Sequence, residues 1–567
     1  MSWKIDEIYP NNEACIKECH DTLKKMKCFY ITYKRIEVYT IKLLVNTIHR
    51  YEDITNLVLK AQLYKTLVYY GQSTEMIDIE LDNLIDGYNL YVIGFPISLV
   101  QHSEVRKMLE NALLGQYCKF LSNVLDESKY LLGEESEKII RLKNLTGYNA
   151  MQQLYLSILE EASFYISGIG KVNYNCLLGL LNCNDEKIRR SAAKKLGSFF
   201  ISNNGIFTQI FNYTTQDLLI DKKIRGYHSI YDNIYRENEL NEKCLELLES
   251  YVTERRTLFQ RYYKIKARKQ GKEHIEGISY LNDVSTNISL EEAVNLIKSA
   301  FAKLSPEYEK IVNDIFEMEH VDYECRERKQ SGSICFAAVP DIKPYIFINY
   351  NGTINDLFML AHELGHAIQF VVSSKKNSIV NYVPSNLHAE SIAIFFETLV
   401  CEELLKRGNN SDDLLMEVAD NLVGKIFRQT LNYMFEERAR KFEGYISAEE
   451  IEKIWIELRE YYYGNTVKFF QYEKNNYWSI PHFICEPMLT SIYSFSQVIA
   501  IELLDKRNEN NFITKFMKYL ELKSNDSFMD YLKEAFDIEI GREKDWDNVF
   551  AAVNDLISRL ETCSNNG

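Results

Sequence analysis

A mainly α-helical protein is predicted by two features of the sequence: a scarcity of helix breakers and long amphipathic stretches. Only 8 prolines and 23 glycines occur among 567 residues, and both residue types disfavour helix interiors. The length suits two or three domains and a large core. From the N-terminus, successive helices are expected around Leu43–Leu67, Val105–Leu125 and Met151–Ile166. They suggest an N-terminal helical domain over residues 1–190 and a second domain over 191–567, with no Pro/Gly/Ser-rich linker between them. Helical patterning continues over Ser289–Glu319 and Ala448–Phe470. Two apolar, β-rich runs interrupt it, Ser333–Val339 and Tyr345–Tyr350, separated by Pro340-Asp341-Ile342-Lys343-Pro344. A small β element is therefore expected just ahead of the next helix.

That helix is announced by its own start signals. Asn351-Gly352 makes a turn, Thr353 is an N-cap with Asp356 three residues on, and Leu357–Phe370 follows as helix. Leu357, Leu360, Ala361, Leu364 and Ile368 repeat at helical spacing and bury one side. In its second turn stands His362-Glu363-Leu364-Gly365-His366. Two histidines four apart lie on one helix face, so both imidazoles can reach one Zn²⁺, with Glu363 beside them to take a proton from the attacking water. Chance alone would produce this pattern in about one such chain per hundred. Two short strands leading into it suit a peptidase, because a strand edge holds an extended peptide through main-chain hydrogen bonds.

A catalytic zinc site takes three protein ligands and keeps one position open. Pro384-Ser385-Asn386 reads as a helix start, and Leu387–Leu405 as an apolar helix carrying Glu390 and Glu397. These two are seven residues apart, two turns along one face, so spacing does not choose between them. Both stand among apolar neighbours, where an unpaired carboxylate is costly to bury. One as ligand and the other as partner to a ligating histidine resolves that cost.

Longer segments carry a family resemblance. Cys335 and Pro344-Tyr345-Ile346-Phe347-Ile348-Asn349-Tyr350-Asn351-Gly352-Thr353 resemble the approach to the zinc helix in the thimet-type oligopeptidases, most nearly the oligoendopeptidase F and Pz-peptidase branch. Trp3 to Pro10, Ile224–Ser229 and Tyr263–Ala267 are similar to further segments of that family, so the resemblance spans nearly the whole chain. It implies a helical body split by a deep substrate channel that admits oligopeptides. It also implies that the third ligand is the first of the two glutamates, Glu390, with Glu397 behind a histidine. Late in the chain the family places a histidine and two tyrosines as donors to the oxyanion. His482 and Tyr493 match by spacing, but the first tyrosine position falls on Thr490. Tyr472 and Tyr477 are candidates to substitute.

Composition narrows the classes further. A formal charge of -15 argues against nucleic acid, which calls for a clustered basic surface. Twelve cysteines without framework spacing and no secretory signal suggest reduced thiols in a cytoplasm, with Cys15 and Cys19 as packing residues and Cys335 and Cys485 near the site. The longest apolar run, Met488–Leu504, is broken by Ser491, Ser494, Ser496, Gln497 and Glu502, which marks a core helix and no membrane span. The expectation is a cytoplasmic zinc endopeptidase acting on short, unfolded oligopeptides. One Zn²⁺ per chain would be held by His362, His366 and Glu390, with Glu363 as general base and His482 and Tyr493 as oxyanion donors. A peptidase dedicated to one precursor and a zinc-containing peptide-binding protein impaired at Thr490 are the alternatives; intact Glu363 speaks against the second.

Overall fold

A computed structural model of the protein describes residues 3–566 except 72–80, 82–83, 86, 89–93, 182, 184, 278–286, 327–328, 331, 408–410, 443 and 524–525. The fold is mainly α, 72% helical, with three small sheets among the described residues. No helix among them is long and apolar enough to cross a membrane, and no disulfide joins the described cysteines.

The helices begin where the sequence places caps. Thr353 Oγ1 accepts from the backbone N–H of Asp356 at 3.1 Å, and the Asp356 carboxylate accepts in turn from the Thr353 N–H. The helix this starts, Ile354–Ser373, is termed here the motif helix. The following helix, Asn386–Arg407, carries both glutamates and is termed the ligand helix. Elsewhere the expected helices are shorter, for local reasons. Val105–Leu125 is divided into Ser103–Met108, Ala112–Leu114 and Tyr117–Asp126. Asn111 caps the middle turn and Gly115 stands at φ 49°, where a helix cannot continue. Ile166 belongs to a strand: after helix Tyr148–Glu161 the chain forms a hairpin of Ser163–Ile166 with Gly170–Asn173. Ser289–Glu319 is two helices, Leu290–Ala302 and Pro306–Glu317, because Ser305 caps a new start with proline at its first position. Ala448–Phe470 ends as helix at Tyr463, before Gly464.

The β element has three strands in the order Val321–Asp322, Tyr345–Ile348, Ser333–Phe336. Tyr345–Ile348 pairs antiparallel with Ser333–Phe336, with Ser333 opposite Ile348 and Cys335 opposite Ile346. Val321–Asp322, which the apolar patterning did not indicate, adds in parallel on the other side. The central strand is buried on both faces, and alternation divides its side chains between two cores. Tyr345 and Phe347 join the core of the N-terminal helices, where Trp3 packs edge-on to Tyr345 at 5.9 Å. Ile346 and Ile348 join the larger core that contains the motif and ligand helices. Cys15 and Cys19 are buried in the N-terminal core, as packing residues should be. The proposed boundary at residue 190 falls inside one uninterrupted helix, Glu186–Arg225, whose buried residues belong to the larger core.

Candidate active site

The motif and ligand helices cross at a glycine. A Cβ on Gly365 would lie 2.9 Å from the Ala393 Cα and 3.1 Å from the Phe396 Cβ, so only glycine permits this approach. The crossing sets the ligand helix against the histidine face of the motif helix. His362, His366 and Glu390 offer ligand atoms that all lie within 4.8 Å of one another. Glu390 Oε2 is 3.3 Å from His362 Nε2, and Glu390 Oε1 is 3.6 Å from His366 Nε2. Ligands about 2.0–2.1 Å from a tetrahedral Zn²⁺ stand roughly 3.3 Å apart, close to the two histidine–glutamate distances. The donor set, two imidazoles and one carboxylate, is also that of a catalytic zinc site. Among the described side chains the two imidazoles are the groups that face the Glu390 carboxylate.

The same seven-residue interval separates the roles of the two glutamates. Glu397 lies behind His362, with Oε2 at 3.2 Å from Nδ1, while Nε2 faces Glu390. Its other oxygen receives Asn421 Nδ2 at 2.6 Å and the Lys425 ammonium. Burial opposes protonation of His362, but Glu390, Glu397 and Glu363 outweigh it and raise the imidazole to about 10. Burial likewise opposes ionisation of the two glutamates. The histidines nevertheless hold Glu390 well below the ordinary carboxylate range, and Lys425 with His362 holds Glu397 at about 2. His362 and the two glutamates thus each favour the charged form, as opposite charges packed together should.

Glu363 is 4% exposed and accepts from Ser333 Oγ at 2.7 Å. Ser333 stands at the start of the edge strand, and Cys335, two residues on, shares its face toward the motif helix. Burial and the Glu363 charge both raise the Cys335 thiol well above its usual range. Cys485 lies in the same short helix as His482, and its carbonyl accepts from Gln152 Nε2 at 2.8 Å.

His482 and Tyr493 come from a turn and a helix and are neighbours, ring centroids 5.8 Å apart. The turn depends on a buried ion pair: Arg440 bonds Glu436 at 2.8 Å and also the Phe483 carbonyl, and Glu436 accepts from the Met488 N–H at 2.9 Å. Met488 stands there at φ 65°, held left-handed by that bond. Helix Leu489–Lys506 follows and carries Tyr493. Burial first, then the charges of Glu390, Glu486 and Glu363, push the Tyr493 hydroxyl far above its ordinary pKa, so it stays protonated within reach of their field. Thr490 is fully buried, and its hydroxyl has no partner. Tyr477 does not substitute for a missing tyrosine, since its hydroxyl receives Asn475 Nδ2 at 3.0 Å and faces Asn204. Tyr472 stacks on Phe470, and its carbonyl lies against Gly197.

Three contributors escaped the sequence reading: Ser333, Lys425 and Gly365. The first two reach the site from 30 and 28 residues away in sequence from their partners, and no local pattern marks them. Gly365 was visible as a glycine inside a helix, which signals a close approach.

Paired histidines one turn apart, facing a carboxylate from a crossing helix with a second glutamate beside them, define a metallopeptidase site. The sequence profile of peptidase family M3 matches residues 179–534, more than half of the chain, and the protein belongs to this family of metallopeptidases. It is 24% identical over 544 residues to an oligoendopeptidase F homolog of Borreliella burgdorferi, covering 92% of this chain and 91% of the relative. It is 21% identical to the oligopeptidase PepF of Bacillus subtilis, covering 94% and 83%. The fold is similar to the crystal structure of oligoendopeptidase-F from Enterococcus faecium, with a TM-score of 0.71 at 17% identity over 97% of this chain and 98% of that one. It is similar also to Pz peptidase A, with a TM-score of 0.73 at 14% identity over 97% and 98%. The protein is thus a metallo-oligopeptidase whose family acts on peptides.

Proposed function

We propose that the protein is a cytoplasmic zinc endopeptidase for short, unfolded oligopeptides, with one ion held by His362, His366 and Glu390. The observation that carries this reading is the triangle of ligand atoms that His362, His366 and Glu390 bring within 4.8 Å of one another, with Glu397 behind His362. When bound, Zn²⁺ supplies a Lewis acid that acidifies water and polarises the scissile carbonyl. The chain's own residues do the rest. Glu363 takes the proton from the attacking water and returns it to the leaving amine. The Ser333 hydroxyl holds the Glu363 carboxylate at one oxygen, leaving the other for the proton. His482 and Tyr493 donate to the oxyanion of the tetrahedral intermediate, Tyr493 through a hydroxyl kept protonated by its surroundings. The edge strand Ser333–Phe336 offers backbone groups to an extended peptide, and a channel of the kind the family resemblance implies would limit substrates to short chains. The catalytic part in this reading includes all of helix Glu186–Arg225, so the seam with the N-terminal helices lies ahead of it, near Tyr148.

Purified without chelators, the protein should carry about one zinc per chain and cleave many members of a mixed peptide library, read by mass spectrometry. Absence of any divalent metal, or of cleavage in the zinc-loaded protein, would refute the reading. Cleavage of only one sequence type would replace a general oligopeptidase with a dedicated maturation enzyme.

A further inference from the structure

Helix Asp412–Val423 does not pass regularly into helix Gln429–Arg440. Between them Gly424–Arg428 forms a π-turn. Such a wide turn carries an extra residue, weakens the local ladder and is found most often at functional sites. Here it is strapped from one end to the other: Arg428 Nη2 donates to the Asp420 carbonyl and to Oδ2, both at 3.1 Å.

Lys425 lies within the π-turn and points two ways. Its ammonium donates to Glu397 Oε1 and, at 2.8 Å, to Asn421 Oδ1. Asn421 donates in turn to the same Glu397 oxygen at 2.6 Å, closing a triangle. Glu397 is 1% exposed, and its remaining oxygen meets His362 Nδ1. The carboxylate therefore has no freedom to rotate while Lys425 and Asn421 hold it. In the other direction, the Lys425 carbonyl accepts from Ser494 Oγ at 2.9 Å. Ser494 follows Tyr493 and also meets Thr430 Oγ1 at 3.0 Å, just past the turn.

We propose that Lys425 is a positioning residue for the peptidase reaction: through Glu397 it fixes the orientation of His362, and through its carbonyl it fixes the helix that carries Tyr493. The proposal rests on the zinc reading above. The two ways Lys425 could act on the metal have opposite signs. A nearby ammonium repels a dication, so if charge alone mattered, removing it would tighten zinc binding. If orientation of the carboxylate matters, removing it weakens binding.

Zinc affinity, measured by competition with a chromophoric chelator, decides between them independently of turnover. Lys425→Met should weaken zinc binding about tenfold to a hundredfold, the range for lost partners behind a ligating histidine. Its kcat should fall while KM stays within about twofold, and Lys425→Arg should recover most of both. Asn421→Ala removes a neutral donor with no charge offset and should also weaken zinc binding. Ser494→Ala tests the second arm: kcat should fall about fivefold, the worth of one neutral hydrogen bond, with zinc affinity unchanged. Melting curves identify variants that fold. Zinc binding as tight as wild type, or tighter, in folded Lys425→Met and in Asn421→Ala would overturn the first arm, and unchanged kcat in Ser494→Ala the second. A wild-type protein without zinc or turnover would instead overturn the reading on which this one rests.

Discussion

The two helices that carry the proposed metal ligands and the turn that carries the proposed oxyanion donors are built by different means. His362, Glu363, His366, Glu390 and Glu397 all sit on two regular helices that cross at Gly365, so each side chain's direction follows from helical spacing. His482, Thr490 and Tyr493 flank a turn whose left-handed Met488 is held by a buried Glu436–Arg440 pair more than 40 residues away in sequence. The two helices are rigid by local geometry. The turn is only as rigid as its tertiary anchors, and that difference sets what substitutions in each should do.

The largest effect is expected in the two helices, and it separates two glutamates of one of them. Glu390→Ala should abolish zinc retention and turnover together, because it removes a proposed ligand. Glu397→Ala should cost about 10–100-fold in zinc affinity, as for a partner behind a ligand. Metal analysis after dialysis checks both, and an emptied site in Glu397→Ala alone would reverse the assignment. Next comes Glu363→Gln, which keeps the shape of the side chain but not the base. It should retain zinc and bind peptide while kcat falls about 10²–10⁴-fold. Unchanged cleavage would remove Glu363 from the mechanism.

The same contrast decides what was legible in the sequence. The motif helix and its cap, the ligand helix and the two longer strands were readable because each rests on short-range signals: a Thr353–Asp356 capping box, four-residue spacing, and apolar runs between prolines. Spacing left Glu390 and Glu397 equivalent; the crossing of the helices distinguishes them, with one carboxylate against the Nε2 atoms and the other behind Nδ1. Contacts from distant segments were not legible at all. Nothing near Ser333 or Lys425 in sequence announces Glu363 or Glu397. The helices expected over Val105–Leu125 and Met151–Ile166 failed for a related reason: apolar periodicity carried across Asn111, Gly115 and Ala162, where the backbone leaves the helix.

Around the turn the expected effects are smaller. Tyr493→Phe removes one hydroxyl that gains strength only as charge develops on the carbonyl oxygen. It should therefore lower kcat about a hundredfold to a thousandfold with KM little changed. Steady-state kinetics on one peptide suffices, and a silent Tyr493→Phe would show that another group stabilises the oxyanion.

The smallest effect is expected at Thr490, where the family pattern places a second tyrosine. The residue is fully buried in the helix that carries Tyr493, and its hydroxyl meets no partner. Burying an unpaired hydroxyl costs about 1–3 kcal/mol by mutational measure, so Thr490→Val, of nearly equal shape, should raise the melting temperature slightly and leave kcat unchanged. Thr490→Tyr should do the reverse to stability, since a ring forced into a filled site costs about 1–3 kcal/mol. It raises kcat only if the ring turns toward Tyr493. A Thr490→Val protein that loses a hundredfold in kcat would mean that the threonine hydroxyl leaves its burial and donates to the oxyanion. The turn and its flanks would then be mobile during turnover, unlike the two crossing helices.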